Sequence, residues 1–275
     1  MSIAFSVSFG HIMKWSQQRK ANTLWVGAAN YIAASLTCAG LALVVLHPTG
    51  TVPFTITVGL LGGVCYLVSL LYYFTVVTRL GVGLATSAIR LSVALPVAVA
   101  LLVWHEPLHV GQAIGLALVA IALPLLGRGQ TASSKSQGGM LVGVLVPLFV
   151  INGLGQLAAR IFTSGAPQSN TFLYLACLFG GAAISALVIL ARYRMAPRRQ
   201  DLSLGLLLGA VNLSSNLCLL EALRELPSAV VFTVSSSAGV VVAAVTGVLF
   251  WREHLTRPAT AGVALAAVAV VLLVR

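Results

Sequence analysis

Two stretches of this chain close in nearly the same way. Leu102-Val-Trp104-His-Glu106-Pro-Leu108 is followed by Gly115-Leu-Ala-Leu118, and Leu249-Phe-Trp251-Arg-Glu253-His-Leu255 by Gly262-Val-Ala-Leu265. Each ends an apolar run, crosses a short polar break and opens another. The register is 147 residues, and it continues upstream with small slips. Gly59 and Gly63 match Gly205 and Gly209 at 146, and Asn22-Thr23 match Asn170-Thr171 at 148. Self-similarity at a fixed offset means that the fold must be made of two copies of one unit.

Composition says what the unit is made of. Apolar residues are 59% of the chain and charged residues 8%, with a mean hydropathy of +1.02. That is a polytopic membrane protein rather than a soluble domain. One membrane span takes about 20 apolar residues, so 275 residues with short connections hold about ten. Strands of a membrane barrel would alternate apolar and polar residues. Runs such as 93–103 and 263–274 do not alternate, so the spans are expected to be helices.

The expected spans lie near residues 2–18, 22–46, 54–77, 82–104 and 109–127, then 139–161, 170–192, 202–223, 228–250 and 257–274. The breaks carry turn chemistry: His47-Pro48-Thr49-Gly50, the polar stretch 164–170 with Pro167, and the charged loop 192–201. The fold expected is therefore an all-α membrane protein of ten transmembrane helices. Residues 1–128 form a first five-span repeat, 129–138 a linker, and 139–275 a second five-span repeat. An odd number of spans makes the second copy enter the membrane from the other side, so the two repeats are inverted. The N-terminal stretch lacks the basic start and cleavage site of a signal peptide.

The net charge of +11 does not indicate nucleic acid, because the basic residues are scattered over short loops. Loops after odd-numbered spans carry Lys14, Arg19, Lys20, Arg79, Arg128, Lys135, Arg192, Arg194, Arg198, Arg199, Arg252 and Arg257. The other side carries only Arg160, Arg224 and Arg275. By the positive-inside rule the first group faces the cytoplasm, which puts both termini outside. The four cysteines, Cys38, Cys65, Cys177 and Cys218, lie inside apolar runs without metal-ligand spacing and read as reduced core residues.

Pro96 through Leu108 with Gly115-Leu-Ala-Leu118, and Val240 through Leu255 with Gly262-Val-Ala-Leu265, resemble the drug/metabolite transporter superfamily, in its EamA-type domain. In that family a helix ends in a Gly-Glu-Arg-Leu-like turn. Here the glutamate and leucine stand at Glu106 and Leu108 and at Glu253 and Leu255, while the turn glycine is replaced. The resemblance covers essentially the whole chain. It implies the ten-helix inverted-repeat fold and a secondary transporter exporting a small metabolite or amino acid. The setting implied is a multi-pass protein of the bacterial inner (plasma) membrane. It also implies cytoplasmic termini, against the charge count.

His105-Glu-Pro-Leu-His109 matches the zinc-protease pattern H-E-x-x-H, but Pro107 breaks the helix that pattern needs. Asn212-Leu-Ser214 matches a glycosylation acceptor in the middle of a span, out of reach of that machinery. The residues that point to function are polar groups inside spans. Arg90 lies about a third of the way into the fourth span, on one face with Gly83, Thr86, Ser87 and Ala94. An intramembrane arginine costs several kcal/mol unless it finds water or a partner. With no acid at matching depth it suits an anionic group such as a carboxylate; the structural alternative is snorkelling to the interface.

Asn212, Ser215 and Asn216 share a face of span eight, Asn152 and Gln156 stand one turn apart in span six, and Asn30 and Tyr31 lie in span two. Tyr66, Ser69 and Tyr73 share a face of span three, and Ser236 lies in the serine run of span nine. Each can serve as interhelical glue. Together they are more polar than packing needs and suit a wet central cavity. The candidate substrate-binding residues are thus Arg90, Asn30, Tyr31, Tyr66, Tyr73, Asn152, Gln156, Asn212, Asn216 and Ser236. The Gly-x-x-x-Gly pairs at 59/63, 111/115 and 205/209 read as packing devices.

The function expected is a secondary transporter with alternating access between its repeats, for a substrate bearing a carboxylate. No Walker-type phosphate loop is present, so ATP is not its direct energy source. No catalytic residues, metal or cofactor are expected, and the partners are the lipid bilayer and a small molecule. The chain alone leaves a monomer and a homodimer both open. The alternatives are a non-transporting membrane subunit and a membrane-embedded enzyme acting on lipid. The few acids, scattered at span ends and loops, offer no reactive cluster for the enzyme.

Overall fold

The computed structural model describes residues 2–45, 50–80, 88–89, 92–105, 110–121 except 112, 116 and 119, 138–194, 196–251 and 257–274. Among them there is no strand. The helices are α1 (Ser2–Gln18), α2 (Thr23–Val45), α3 (Val52–Leu80), α4 (Ala94–Val103), α5 (Gly138–Gly165), α6 (Thr171–Arg192), α7 (Arg199–Glu225), α8 (Ser228–Trp251) and α9 (Arg257–Val274). A single 3-10 turn, Gln168–Asn170, precedes α6, and helical residues recur between 110 and 121.

Among the described residues, five stretches are long and apolar enough to cross a membrane: Thr23–Val45, Val52–Tyr73, Gly143–Gly165, Gln168–Arg192 and Arg199–Glu225. Large apolar side chains also cover the outside, with Leu43 88% exposed, Val44 82% and Leu102 76%. Such a surface is unfavourable in water and natural in lipid.

The helix ends follow from short polar signals. The Asn22 side chain caps α2, its Oδ1 accepting from the backbone N–H of Leu24 at 3.1 Å and of Trp25 at 3.4 Å. Lys20 and Arg194 take left-handed φ values of 52° and 49° just beyond α1 and α6, which turns the chain out of the helix. His105, after α4, has φ 51°. It stands first in the His-Glu-Pro-Leu turn, where the resembling family carries glycine. His105 itself takes the left-handed backbone that glycine adopts without strain.

The chain divides into two compact units: Met1–Leu67 with Leu157–Glu225, and Val68–Gln156 with Leu226–Arg275. Both halves of the chain contribute to each. In the first unit α2 packs on α6 and α7, and α1 packs on α7. Its apolar centre is Val26, Leu204 and Leu208, covered by Phe9, Ile12, Met13 and Ala21. In the second, α8 packs on α9 and α4. Val76, Ala88 and Leu148 form a core there with Tyr72, Tyr73, Ile89, Val144 and Leu145 around it.

The glycine pairs of the first unit are where two helices touch backbone to backbone. A Cβ on Gly205 would run into the Ala29 side chain and lie 2.8 Å from the Val26 carbonyl oxygen. One on Gly209 would lie 2.9 Å from the Asn30 carbonyl oxygen. A Cβ on Gly59 would lie 2.7 Å from Cys177 Cβ and 2.9 Å from the Tyr174 carbonyl oxygen, and one on Gly63 would strike the Leu178 carbonyl. These are the same contact made twice. Residues 26, 29 and 30 become 174, 177 and 178 at the offset of 148, and 205 and 209 become 59 and 63 at 146. In each case a helix of one half of the chain closes on a helix of the other.

Candidate functional site

The polar residues of the first unit form a hydrogen-bonded row across three helices. Tyr66 Oη on α3 donates to Asn216 Oδ1 on α7 at 3.1 Å. Asn216 Nδ2 donates to Asn212 Oδ1 and to the Asn212 carbonyl oxygen, both at 3.0 Å. Asn212 Nδ2 donates to Asn30 Oδ1 on α2 at 3.3 Å. Asn30 is buried because Gly205 and Gly209 bring α7 against its backbone. Tyr31, also buried, stacks on Phe179 at a centroid distance of 6.3 Å. Four of the expected site residues thus meet in the row: Asn30, Tyr66, Asn212 and Asn216.

A second cluster belongs to the second unit. Ser69 Oγ on α3 donates to Asn152 Oδ1 on α5 at 3.1 Å. Asn152 Nδ2 donates to Ser92 Oγ at 2.6 Å, and Gln156 Nε2 to the same oxygen at 2.9 Å. Ser92 in turn donates to the Ile89 carbonyl at 2.6 Å. Gly153 permits the approach: a Cβ there would lie 2.9 Å from Leu95 Cβ and 3.0 Å from the Ser92 carbonyl oxygen. Tyr73 packs on the core of Val76, Ala88 and Leu148. Ser236 is buried in α8. Beside it Thr233 and Ser237, one turn apart, bury hydroxyls that have no partner among the described residues. At the 147 offset they occupy the register of Thr86 and Arg90. Arg90 itself lies outside the described residues.

Among the described residues no group of three His, Cys, Asp or Glu could hold a metal, and the four cysteines are free thiols. The sequence signature of the EamA-like transporter family matches residues 138–275. The chain belongs to that family. It is a membrane transporter family of the drug/metabolite superfamily. A solved structure described only as a "Crystal structure of protein" overlays on 98% of this chain and 93% of its own, with a TM-score of 0.74. At 14% identity it shows the shared fold alone. A search of curated proteins finds no match.

This EamA-like chain also fastens the two ends of its first unit, through residues that the sequence left unassigned. Asp201, expected in a loop, is fully buried in the first turn of α7. Its Oδ2 accepts from the backbone N–H of Arg198 at 3.0 Å, a reach-back that starts the helix earlier than the apolar run does. Its Oδ1 accepts from the backbone N–H of Asn22 at 2.9 Å. The counterparts at the other end are Asn170 and Thr55, joined by Asn170 Nδ2 donating to Thr55 Oγ1 at 3.1 Å and to Thr51 Oγ1 at 3.0 Å. The repeat register pairs 22 with 170 and 201 with 55; that register is the signal that could have found this end-to-end equivalence.

Two arginines cross between α5 and α7. Arg160 Nη1 donates to the Leu223 carbonyl at 3.1 Å. Arg224 donates to the Ala166 and Pro167 carbonyls at 3.0 and 3.3 Å and lies 5.2 Å over the Phe162 ring.

Proposed function

We propose that this EamA-like chain is a secondary transporter of a small, carboxylate-bearing metabolite, working as an exporter in the inner membrane. Its ten spans would be two inverted five-span repeats that alternate access around a central site. The observation that carries this reading is the row Tyr66–Asn216–Asn212–Asn30, which threads amides and a phenol through three apolar helices. Glue between two helices needs one such bond; a row of them across three suits a path for a polar solute.

The doubled glycine contact supports inverted repeats, because each half of the chain offers the other the same seam. The buried hydroxyls of Thr233 and Ser237, in the register of Thr86 and Arg90, support a polar stripe carried by both repeats. Arg90 is the proposed carboxylate partner, and Asn152, Gln156, Tyr73 and Ser236 complete the proposed lining.

Flux into proteoliposomes from a mixed pool of amino acids and small carboxylates tests the proposal. Wild-type uptake of an anion that is lost in Arg90→Gln is the expected result. Flux of a neutral or cationic compound that ignores the change would keep the transporter and remove Arg90 from its site. A wild-type protein that moves nothing would overturn the transporter reading.

A further inference from the structure

One end of the first unit carries six exposed basic residues in two loops that are far apart in sequence. Arg19 and Lys20 follow α1, and Arg192, Arg194, Arg198 and Arg199 lie around the turn from α6 into α7. Asp201 fastens the two loops, since its carboxylate accepts from the backbone N–H of Asn22 at 2.9 Å and of Arg198 at 3.0 Å. It is the only acid in this stretch, buried, with both oxygens taken by main-chain N–H groups. The unit's other acids, Glu221 and Glu225, stand at the far end of α7, about 30 Å away by the rise of the helix. The architecture does not need this charge. The matching seam at the unit's other end joins Asn170 to Thr51 and Thr55, and its loops, 46–54 and 165–169, carry no Lys or Arg. Arg160 and Arg224, near that end, donate to main-chain carbonyls. Six like charges gathered at one seam repel one another, and an anion between them relieves that repulsion.

We infer that this seam binds the phosphate headgroup of an anionic phospholipid. Arginine's forked N–H groups match phosphate oxygens, and the surroundings match the rest of a lipid. Trp15, exposed near the end of α1, carries the Arg19 guanidinium 4.1 Å over its ring. Tyr193 stands 71% exposed between Arg192 and Arg194. Trp and Tyr collect at the level of lipid headgroups, where one edge of the ring meets apolar chains and the other meets water. Leu202, Leu206 and Leu207 are exposed on the first turns of α7, just beyond Arg198 and Arg199, and offer acyl chains an apolar surface. A soluble anion would need the charges alone. The positive-inside rule accounts for basic loops on one side of a membrane, but not for a buried carboxylate that fastens two of them into one site.

The whole protein, purified in detergent, is titrated with phosphatidylglycerol or phosphatidylcholine, and bound lipids are counted by native mass spectrometry. Phosphatidylglycerol should bind at least about tenfold more tightly, as several basic residues at one membrane surface require. Arg19→Gln with Lys20→Gln, and separately Arg198→Gln with Arg199→Gln, should each remove that preference, because the headgroup is held from both loops. Arg252→Gln with Arg257→Gln takes the same charge from the second unit and should leave the preference intact. Asp201→Ala makes the seam more positive by one charge, yet should weaken phosphatidylglycerol binding by releasing the loops. A cooperative unfolding transition shows that each variant is folded. Equal binding of the two lipids, equal loss in all three double variants, or tighter binding by Asp201→Ala would overturn the inference. So would displacement of the lipid by free glycerol phosphate, which would assign the seam to a soluble anion. No outcome depends on what the chain transports.

Discussion

Tyr31 stacks on Phe179, with ring centroids 6.3 Å apart and planes inclined by 23°. The two positions are 148 residues apart, the offset that relates Asn22 to Asn170. A residue packed on its own counterpart sits where a self-complementary contact crosses itself, as at the axis of a two-fold dimer. The glycine seams lie on either side of this pair: α2 against α7 in one, α6 against α3 in the other.

The seams should therefore fail alike. Gly59→Ala and Gly205→Ala each push a methyl into a facing backbone, and each should cost about 1–3 kcal/mol of stability. Gly40, with nothing within 4 Å of a built Cβ, is the control. Gly40→Ala should be neutral or stabilising by up to about 1 kcal/mol, since alanine is the better helix former. Thermal unfolding in detergent measures all three. A large loss at 205 with none at 59 would break the equivalence.

Asp201→Ala should cost about 1–3 kcal/mol, because two buried backbone N–H groups lose their acceptor. Asp201→Thr, which copies Thr55, should recover part of the loss through a single hydroxyl acceptor. Unfolding temperatures of the three proteins, compared in one detergent, decide it. Equal stability of Asp201→Ala and wild type would show the carboxylate to be dispensable.

His105 holds a left-handed backbone that costs a non-glycine residue about 1 kcal/mol. His105→Gly should stabilise the protein by up to that amount, reduced by the added freedom of glycine in the unfolded chain. Denaturant-induced unfolding of the two proteins side by side would show it. A destabilised glycine variant would mean that the imidazole does something the turn geometry does not explain.

Asn212→Ala cuts the row in its middle. Interhelical hydrogen bonds of this kind are worth about 0.6 kcal/mol in membrane proteins, rarely above about 1.7. The variant should therefore stay folded and lose transport out of proportion to its stability. A double-mutant cycle of Tyr66→Phe with Asn216→Ala should give a coupling of similar small size. A coupling of zero would mean that the two side chains do not bond in the membrane.

Hydrophobic runs fixed the helices closely in sequence: α6 at Thr171–Arg192 and α8 at Ser228–Trp251 lie within a residue or so of where the apolar stretches end. The polar faces were legible too, because positions four apart on one helix must share a side. Their partners were not. Nothing in a helical period says that Asn216 meets Tyr66 while Asn152 meets Ser69 and Ser92; that follows from which helices the glycines let close. Asp201 was misread for a related reason. An acid before an apolar run looks like loop, and only the backbone amide of a distant Asn22 makes its burial tolerable.

The row of asparagines has a direction that one main-chain atom imposes. A carbonyl oxygen can only accept, so Asn216 must turn its amide nitrogen toward the Asn212 backbone. Its oxygen then faces Tyr66, which must donate, and Asn212 is obliged to accept from Asn216 and donate onward to Asn30. The sequence of dipoles cannot be reversed without losing that bond. The row is a wire with fixed poles: a phenol that gives a hydrogen at one end and, at the other, an amide that takes one through its oxygen.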